Sequence, residues 1–127
     1  MDQSKLRYLP THEWADVQGD VCTVGITQYA VEQLTDVTHL QLPAAGKAVT
    51  AGQPFGEIES VKAVFDLNAP VSGTVAEKNT AVEKDPSLVN QDPYGKGWMI
   101  KIKLAPGAKL DHLLTLPQYE KQIAEGH

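Results

Sequence analysis

The stretch Glu57–Ala69 reads EIESVKAVFDLNA, and two alternating runs meet at its centre. Before the centre, Ile58 and Ser60 point one way and Glu57 and Glu59 the other. After it, Phe65, Leu67 and Ala69 share one face, with Val64, Asp66 and Asn68 on the opposite side. A period of two is the mark of half-buried strands. The stretch therefore predicts a hairpin with Val61-Lys62-Ala63 at its tip. Lys62 sits between two apolar residues, with Glu59 three positions before it and Asp66 four positions after it.

Strands recur on both sides of this hairpin. THEWADVQGDVCTVGIT reads as strand, turn at Gln18-Gly19-Asp20, strand, with Cys22, Val24 and Ile26 on one face. Thr27 is a good N-cap, and Ala30, Val31 and Leu34 recur at one-face helical spacing, so a short helix is expected over Gln28–Leu34. In VTHLQLP, Thr38, Leu40 and Leu42 are expected on one face and Val37, His39 and Gln41 on the other, with Pro43 ending the strand. AAGKAVTAGQPFG reads as loop with at most a short strand, and APVSGTVAEKN as a turn and a further strand. EKDPSLVNQDPYGKG reads as a turn-rich connection. WMIKIKL is expected to put Trp98, Ile100, Ile102 and Leu104 on the core and Met99, Lys101 and Lys103 outside. Leu110, Leu113 and Leu114 suggest a helical turn, and Pro117 suits the first position of a final helix that groups Tyr119, Glu120 and Ile123. Many short strands with a few small helices predict a mostly β fold, a barrel or sandwich with helices packed outside.

A chain of 127 residues favours one compact domain, 1–127, with a real core but no separate cofactor domain. The formal net charge of −5 argues against a nucleic-acid binder, which needs concentrated Lys and Arg. The one cysteine, Cys22, rules out an intrachain disulfide and reads as a buried, inert thiol. The start MDQSKLRYLP lacks the apolar run of a secretory signal, and no segment approaches the length of a membrane span. A cytoplasmic setting is the default expectation. His12, His39, His112 and His127 lack metal-ligand spacing, and GxGxxG, HExxH and CxxC are absent.

Two readings of Lys62 are open on pattern alone. A lysine at a hairpin tip often only keeps an edge soluble. The same place also suits a covalent attachment point. The amine is accessible, the turn fixes its origin, and the four-carbon stem stays mobile. A long acyl group on that amine would be a swinging carrier, with the chemistry in the prosthetic group and the placement in the protein.

GEIESVKAVFDLNAPVSGTV (56–75) resembles the lipoylation segment of the glycine cleavage system H protein family. HEW (12–14), VGITQYA (24–30), LPAAG (42–46), VNQDPYGKGW (89–98) and MIKIKL (99–104) resemble that family's signatures, in the family's order. Together they span about Leu6 to Tyr119, which marks the core of the domain. Lipoyl and biotinyl carrier domains are more distantly similar, but they usually carry DKA or MKM around the lysine, so SVKA favours the H protein.

The resemblance implies a flattened barrel of two small sheets with peripheral helices, one of them C-terminal. It implies lipoate held as N6-lipoyllysine at Lys62. Glu59 and Gly73 match positions that lipoate-attaching enzymes are thought to read, although Gly73 also reads as a turn glycine after Pro70 and Glu59 as a solvated neighbour. The family's cleft for the aminomethyl-loaded arm maps onto Thr11, Glu13 and Asp66. Thr11 and Glu13, two apart, are expected on one strand face, and Asp66 just past the tip, pointing outward. Ordinary surface polar residues are the other reading of all three.

By the same resemblance the chain is a carrier, not an enzyme. It implies an arm that takes the aminomethyl group of glycine from glycine decarboxylase (P protein) to aminomethyltransferase (T protein), then meets dihydrolipoyl dehydrogenase (L protein). An H-like relay of lipoate to other complexes is the alternative. A monomer without nucleic-acid or membrane partners is expected, in a bacterial cytoplasm, or in a mitochondrial matrix if the protein is processed. Three residues depart from the family pattern: Thr35 where glycine is common, His39 in a usually more apolar run, and Phe65 where a small polar residue is frequent.

Overall fold

The structure, a computed structural model, describes residues 3–126. His127, one of the scattered histidines, lies outside them. After a 3-10 turn at Gln3–Lys5 come β1 (Arg7–Tyr8), β2 (Glu13–Gln18), β3 (Val21–Ile26) and α1 (Gln28–Leu34). Next are β4 (Val37–Gln41), β5 (Ala48–Val49), β6 (Pro54–Ser60), β7 (Val64–Asn68) and β8 (Gly73–Lys78). The chain closes with α2 (Thr80–Lys84), α3 (Ser87–Gln91), β9 (Ile100–Leu104) and α4 (Leu116–Ala124). Two antiparallel sheets result: six strands in the order β1-β2-β3-β9-β8-β5, and three in the order β4-β6-β7. Among the described residues no helix is long and apolar enough to cross a membrane.

The core follows from the alternation. Cys22, Val24 and Ile26 from β3, Ile100 and Ile102 from β9 and Val75 from β8 meet Leu40, Ile58 and Leu67 of the smaller sheet. Thr27 caps α1 by accepting the backbone N–H of Ala30, and the helix spans the predicted residues. A second buried cluster joins Leu6, Tyr8 and Trp14 to Tyr119 of α4, so the final helix is fastened to the N-terminal segment. Thr115 and Gln118 form a capping box at its start, with Pro117 in the first turn, where its missing N–H costs nothing. Burial of Cys22 pushes its thiol up to about 12, consistent with an inert core residue.

The structure corrects several expectations. In β4 it is Val37 that is buried and Thr38 that is exposed. The register against β6 shifts between Val37 and His39, and such a bulge turns the preceding side chain to the other face. Met99 is fully buried because β9 starts one residue later, so strand alternation does not govern it. Trp98 is only half-buried, with the Lys101 ammonium 5.0 Å from its ring centre. The connection 79–98 contains α2 and α3, five residues each, too short for a periodic signal. Leu110–Leu114 forms turns rather than a helix, and Leu114 bridges to Tyr8. Within α4, Tyr119 is buried but Glu120 is exposed.

Candidate functional site

Lys62 lies at the tip of the β6–β7 hairpin, exposed, next to exposed Val61. The tip is built by Ser60. Its buried hydroxyl accepts the backbone N–H groups of both Lys62 and Ala63, each at 3.2 Å, while its own N–H donates to the Ala63 carbonyl. The Val61 N–H donates to Asp36 O, which pins the tip to the turn after α1. The backbone at Lys62 is thus held while its side chain is not. Among the described residues no carboxylate lies within ion-pair distance of its ammonium. Ser60 escaped the sequence reading, although a serine two residues before the tip residue is a known turn-maker.

A cleft of about 430 Å³ opens beside the hairpin. Its apolar lining comes from Ile26, Leu34, Ile58 and Leu67, with Phe65 as a half-exposed lining residue from β7. Glu13 of β2 and the preceding turn residues Thr11 and His12 line it from the opposite side. The face expected for Phe65 is correct, since it stands opposite Ile58, but its ring is 53% exposed and so borders the cleft instead of filling the core.

Glu13 is 1% exposed. Its carboxylate accepts the Thr11 hydroxyl at one oxygen and the backbone N–H of Asn68, at 2.7 Å, at the other. Burial raises its affinity for a proton, and the hydrogen bonds from Thr11 and Asn68 oppose that rise. Thr11 and Glu13 do meet, but not as neighbours on a strand face. Thr11 is exposed and lies in the turn before β2, and the contact is made by side chains.

Asp66 is less closely joined to them. Its cross-strand partner is Glu57, on the face opposite Ile58 and Phe65. It borders the cleft and also a second hollow shared with Lys47 and Glu57. Glu59 stands on that same outer face, opposite Val64 on one side and His39 on the other. Gly73 is not in a turn. It opens β8 in the larger sheet, where a Cβ would lie 2.0 Å from the carbonyl oxygen of Lys103. Packing alone therefore demands glycine there.

Sequence reading missed His12 as part of the site. It lines the cleft with a φ of 83°, and its Nδ1 is 2.7 Å from the Tyr119 hydroxyl. Burial pushes its pKa down. Of the other described histidines, His39 is exposed and His112 bonds the Pro70 carbonyl, and no group of residues among those described could hold a metal ion.

Comparison with known proteins bears on this arrangement. A family model described as Glycine cleavage H-protein matches residues 6–126. A protein of Rubrobacter xylanophilus named Glycine cleavage system H protein is 50% identical over 120 residues, 94% of this chain and 93% of its own. One of the same name from Gloeothece citriformis is 49% identical over 93% of this chain and 91% of its own. The crystal structure of a glycine cleavage system H protein from Mycobacterium marinum superposes with a TM-score of 0.87 at 41% identity, covering 95% of this chain and 98% of that one.

Proposed function

The chain belongs to the glycine cleavage H-protein family, and from that premise we propose that its lipoyl group is carried by Lys62 and docks in the cleft beside β7. It is a carrier component of the glycine cleavage system and not itself a catalyst. One observation supports the site most: an exposed lysine, without an ion-pair partner among the described residues, at a pinned tip from which an edge strand runs to a buried carboxylate.

The residues present suit the group. Lysine plus a lipoyl amide extends on the order of 14 Å from its Cα. Folded back along β7, it has up to roughly 20 Å of extended chain to follow from Lys62 to Asn68, six steps at roughly 3.3 Å, so the arm covers most of the path toward Glu13. The lining between is apolar, as an alkyl chain requires. When bound, the dithiolane supplies the redox and group-carrying chemistry that takes the aminomethyl group of glycine from the decarboxylase to the aminomethyltransferase and then meets the dihydrolipoyl dehydrogenase.

The chain's own part is placement and shielding. Ser60 fixes the root of the arm. Ile58, Leu67 and Phe65 displace water from its length. Glu13, held by Thr11 and Asn68, presents a carboxylate that stabilises a cationic amine by a charge-assisted hydrogen bond. Asp66 adds negative charge at the border. Glu59, on the outer face of the hairpin, is offered to the lipoate-attaching enzyme, while Gly73 is retained for packing as well as for that recognition. The domain acts as a monomer that visits each partner in turn.

Reconstitution tests this. The lipoylated chain, mixed with decarboxylase, aminomethyltransferase and dehydrogenase, is expected to support glycine-dependent NADH formation, and Lys62→Ala is expected to abolish it. A lipoylated chain that supports no such turnover, yet donates lipoate to other complexes, would establish the relay role instead.

A further inference from the structure

The carrier role leaves the Tyr119 hydroxyl unexplained. It lies 2.7 Å from His12 Nδ1 and 2.7 Å from Thr27 Oγ1. Its ring is stacked on Tyr8, with centres 4.7 Å apart and planes 5° from parallel, so the hydroxyl's place is set by α4 and the buried cluster beneath it. One turn further along α4, Gln122 donates to the carbonyl of Pro10 at 2.8 Å. Two side chains of the final helix therefore grip the segment Pro10–Glu13, which lines the cleft. At the middle of that segment His12 holds left-handed backbone, which a residue with a side chain keeps only when its surroundings enforce it.

The hydrogens follow from counting donors. Thr27 Oγ1 already accepts the N–H of Ala30, so its own proton is free to donate. In one arrangement every hydroxyl donates: Thr27 to Tyr119, and Tyr119 to His12 Nδ1. The imidazole then carries its proton on Nε2. The other arrangements each leave one hydroxyl proton without an acceptor among the described residues: on Thr27, 1% exposed, if the chain of donors is reversed, or on Tyr119, 3% exposed, if His12 and Thr27 both donate to it.

We propose that Tyr119 is a positioning residue for the arm cleft: its hydroxyl fixes His12 as the Nε2–H tautomer in its left-handed backbone, and so sets the Thr11–Glu13 pair that receives the amine. The proposal rests on the docking of the arm in this cleft. The C-terminal helix, whose hydrogen bonds among the described residues reach neither Lys62 nor Glu13, thereby governs how long the arm stays shielded.

The test uses the full, lipoylated chain and three variants. Tyr119→Phe keeps the stacked ring and loses both hydrogen bonds. Tyr8→Phe, in the same cluster, loses its bond to the Gln3 carbonyl and serves as the control for loosened packing. Glu13→Ala reports on the cleft itself. Nitrogen NMR of the His12 imidazole is expected to show the Nε2–H tautomer in the parent and a mixture in Tyr119→Phe. The lifetime of the arm loaded from glycine by the decarboxylase is expected to fall about fivefold in Tyr119→Phe, one hydrogen bond's worth of positioning, and to stay unchanged in Tyr8→Phe. An unaltered imidazole spectrum or an unaltered lifetime in Tyr119→Phe, or an equal loss in Tyr8→Phe, overturns the proposal. If Glu13→Ala alone shortens the lifetime, the proposal fails and the docking reading stands. If Glu13→Ala also has no effect, both fail.

Discussion

Glu13 on β2 accepts the backbone N–H of Asn68 on β7 at 2.7 Å, and this bond ties the edge strand of the β6–β7 hairpin to the opposite sheet. The carboxylate expected to hold the cargo thus also braces the wall of the cleft. Removing it should affect both. Glu13→Ala leaves the Asn68 N–H without its acceptor and should cost about 2 kcal/mol in denaturant unfolding, with the loaded arm decaying faster while lipoylation proceeds. Glu13→Gln keeps an acceptor for Asn68, so it should restore most of the stability but not the lifetime. Equal lifetimes in the parent and Glu13→Gln would remove the charge from the account.

The pH dependence has a definite sign. Burial raises the Glu13 pKa in the folded state, so between its ordinary value and the raised one the folded chain binds more protons than the unfolded chain. Its contribution to stability is greatest below the ordinary carboxyl range, falls as pH rises through that window, and is flat above it. Glu13→Gln should lack this fall. Parallel stability–pH curves for parent and variant over the window would contradict it.

Thr35 carries strain. It caps the C-terminal end of α1 with φ 63° and ψ −137°, a conformation that glycine adopts freely and a β-branched residue does not. Asn90 compensates by bonding the Thr35 carbonyl at 2.6 Å and the Val37 N–H at 3.0 Å, which clamps the turn. Thr35→Gly should raise stability by about 1 kcal/mol, read from the unfolding midpoint. A variant no more stable than the parent would place the strain elsewhere.

Ser60→Ala removes the hydroxyl that receives the Lys62 and Ala63 N–H groups. The tip should loosen at a cost of about 1 kcal/mol, and initial rates of lipoylation should drop several-fold at subsaturating ligase. Undiminished rates would show that the enzyme itself shapes the turn.

Gly73→Ala separates packing from recognition. The added methyl meets the Lys103 carbonyl oxygen, so a loss of about 2 kcal/mol or more is expected. If the variant, measured where it is still fully folded, accepts lipoate at the parent's rate, the glycine serves the sheet alone.

The hairpin and its lysine were legible because period-two alternation survives on both arms, and α1 because Thr27 and three apolar residues mark its start and face. What stayed hidden depends on contacts far apart in sequence. Pattern alone leaves Glu13 open as a surface acid, the resemblance makes it a cleft residue, and only the fold reveals the N–H of Asn68 that it accepts. His12 gains its neighbours from α4, more than a hundred residues away. Val37 misled because a bulge shifts the phase of β4, and Met99 because its strand begins after it. Packing, not periodicity, decides such positions.

Mass spectrometry of the peptide containing Lys62 is the most direct measurement. After incubation of the folded chain with lipoate, ATP and a lipoate–protein ligase, a single lipoyl modification is expected on Lys62, and none in Lys62→Ala. An unmodified Lys62 under saturating ligase, or a modification placed on another lysine, would contradict the account.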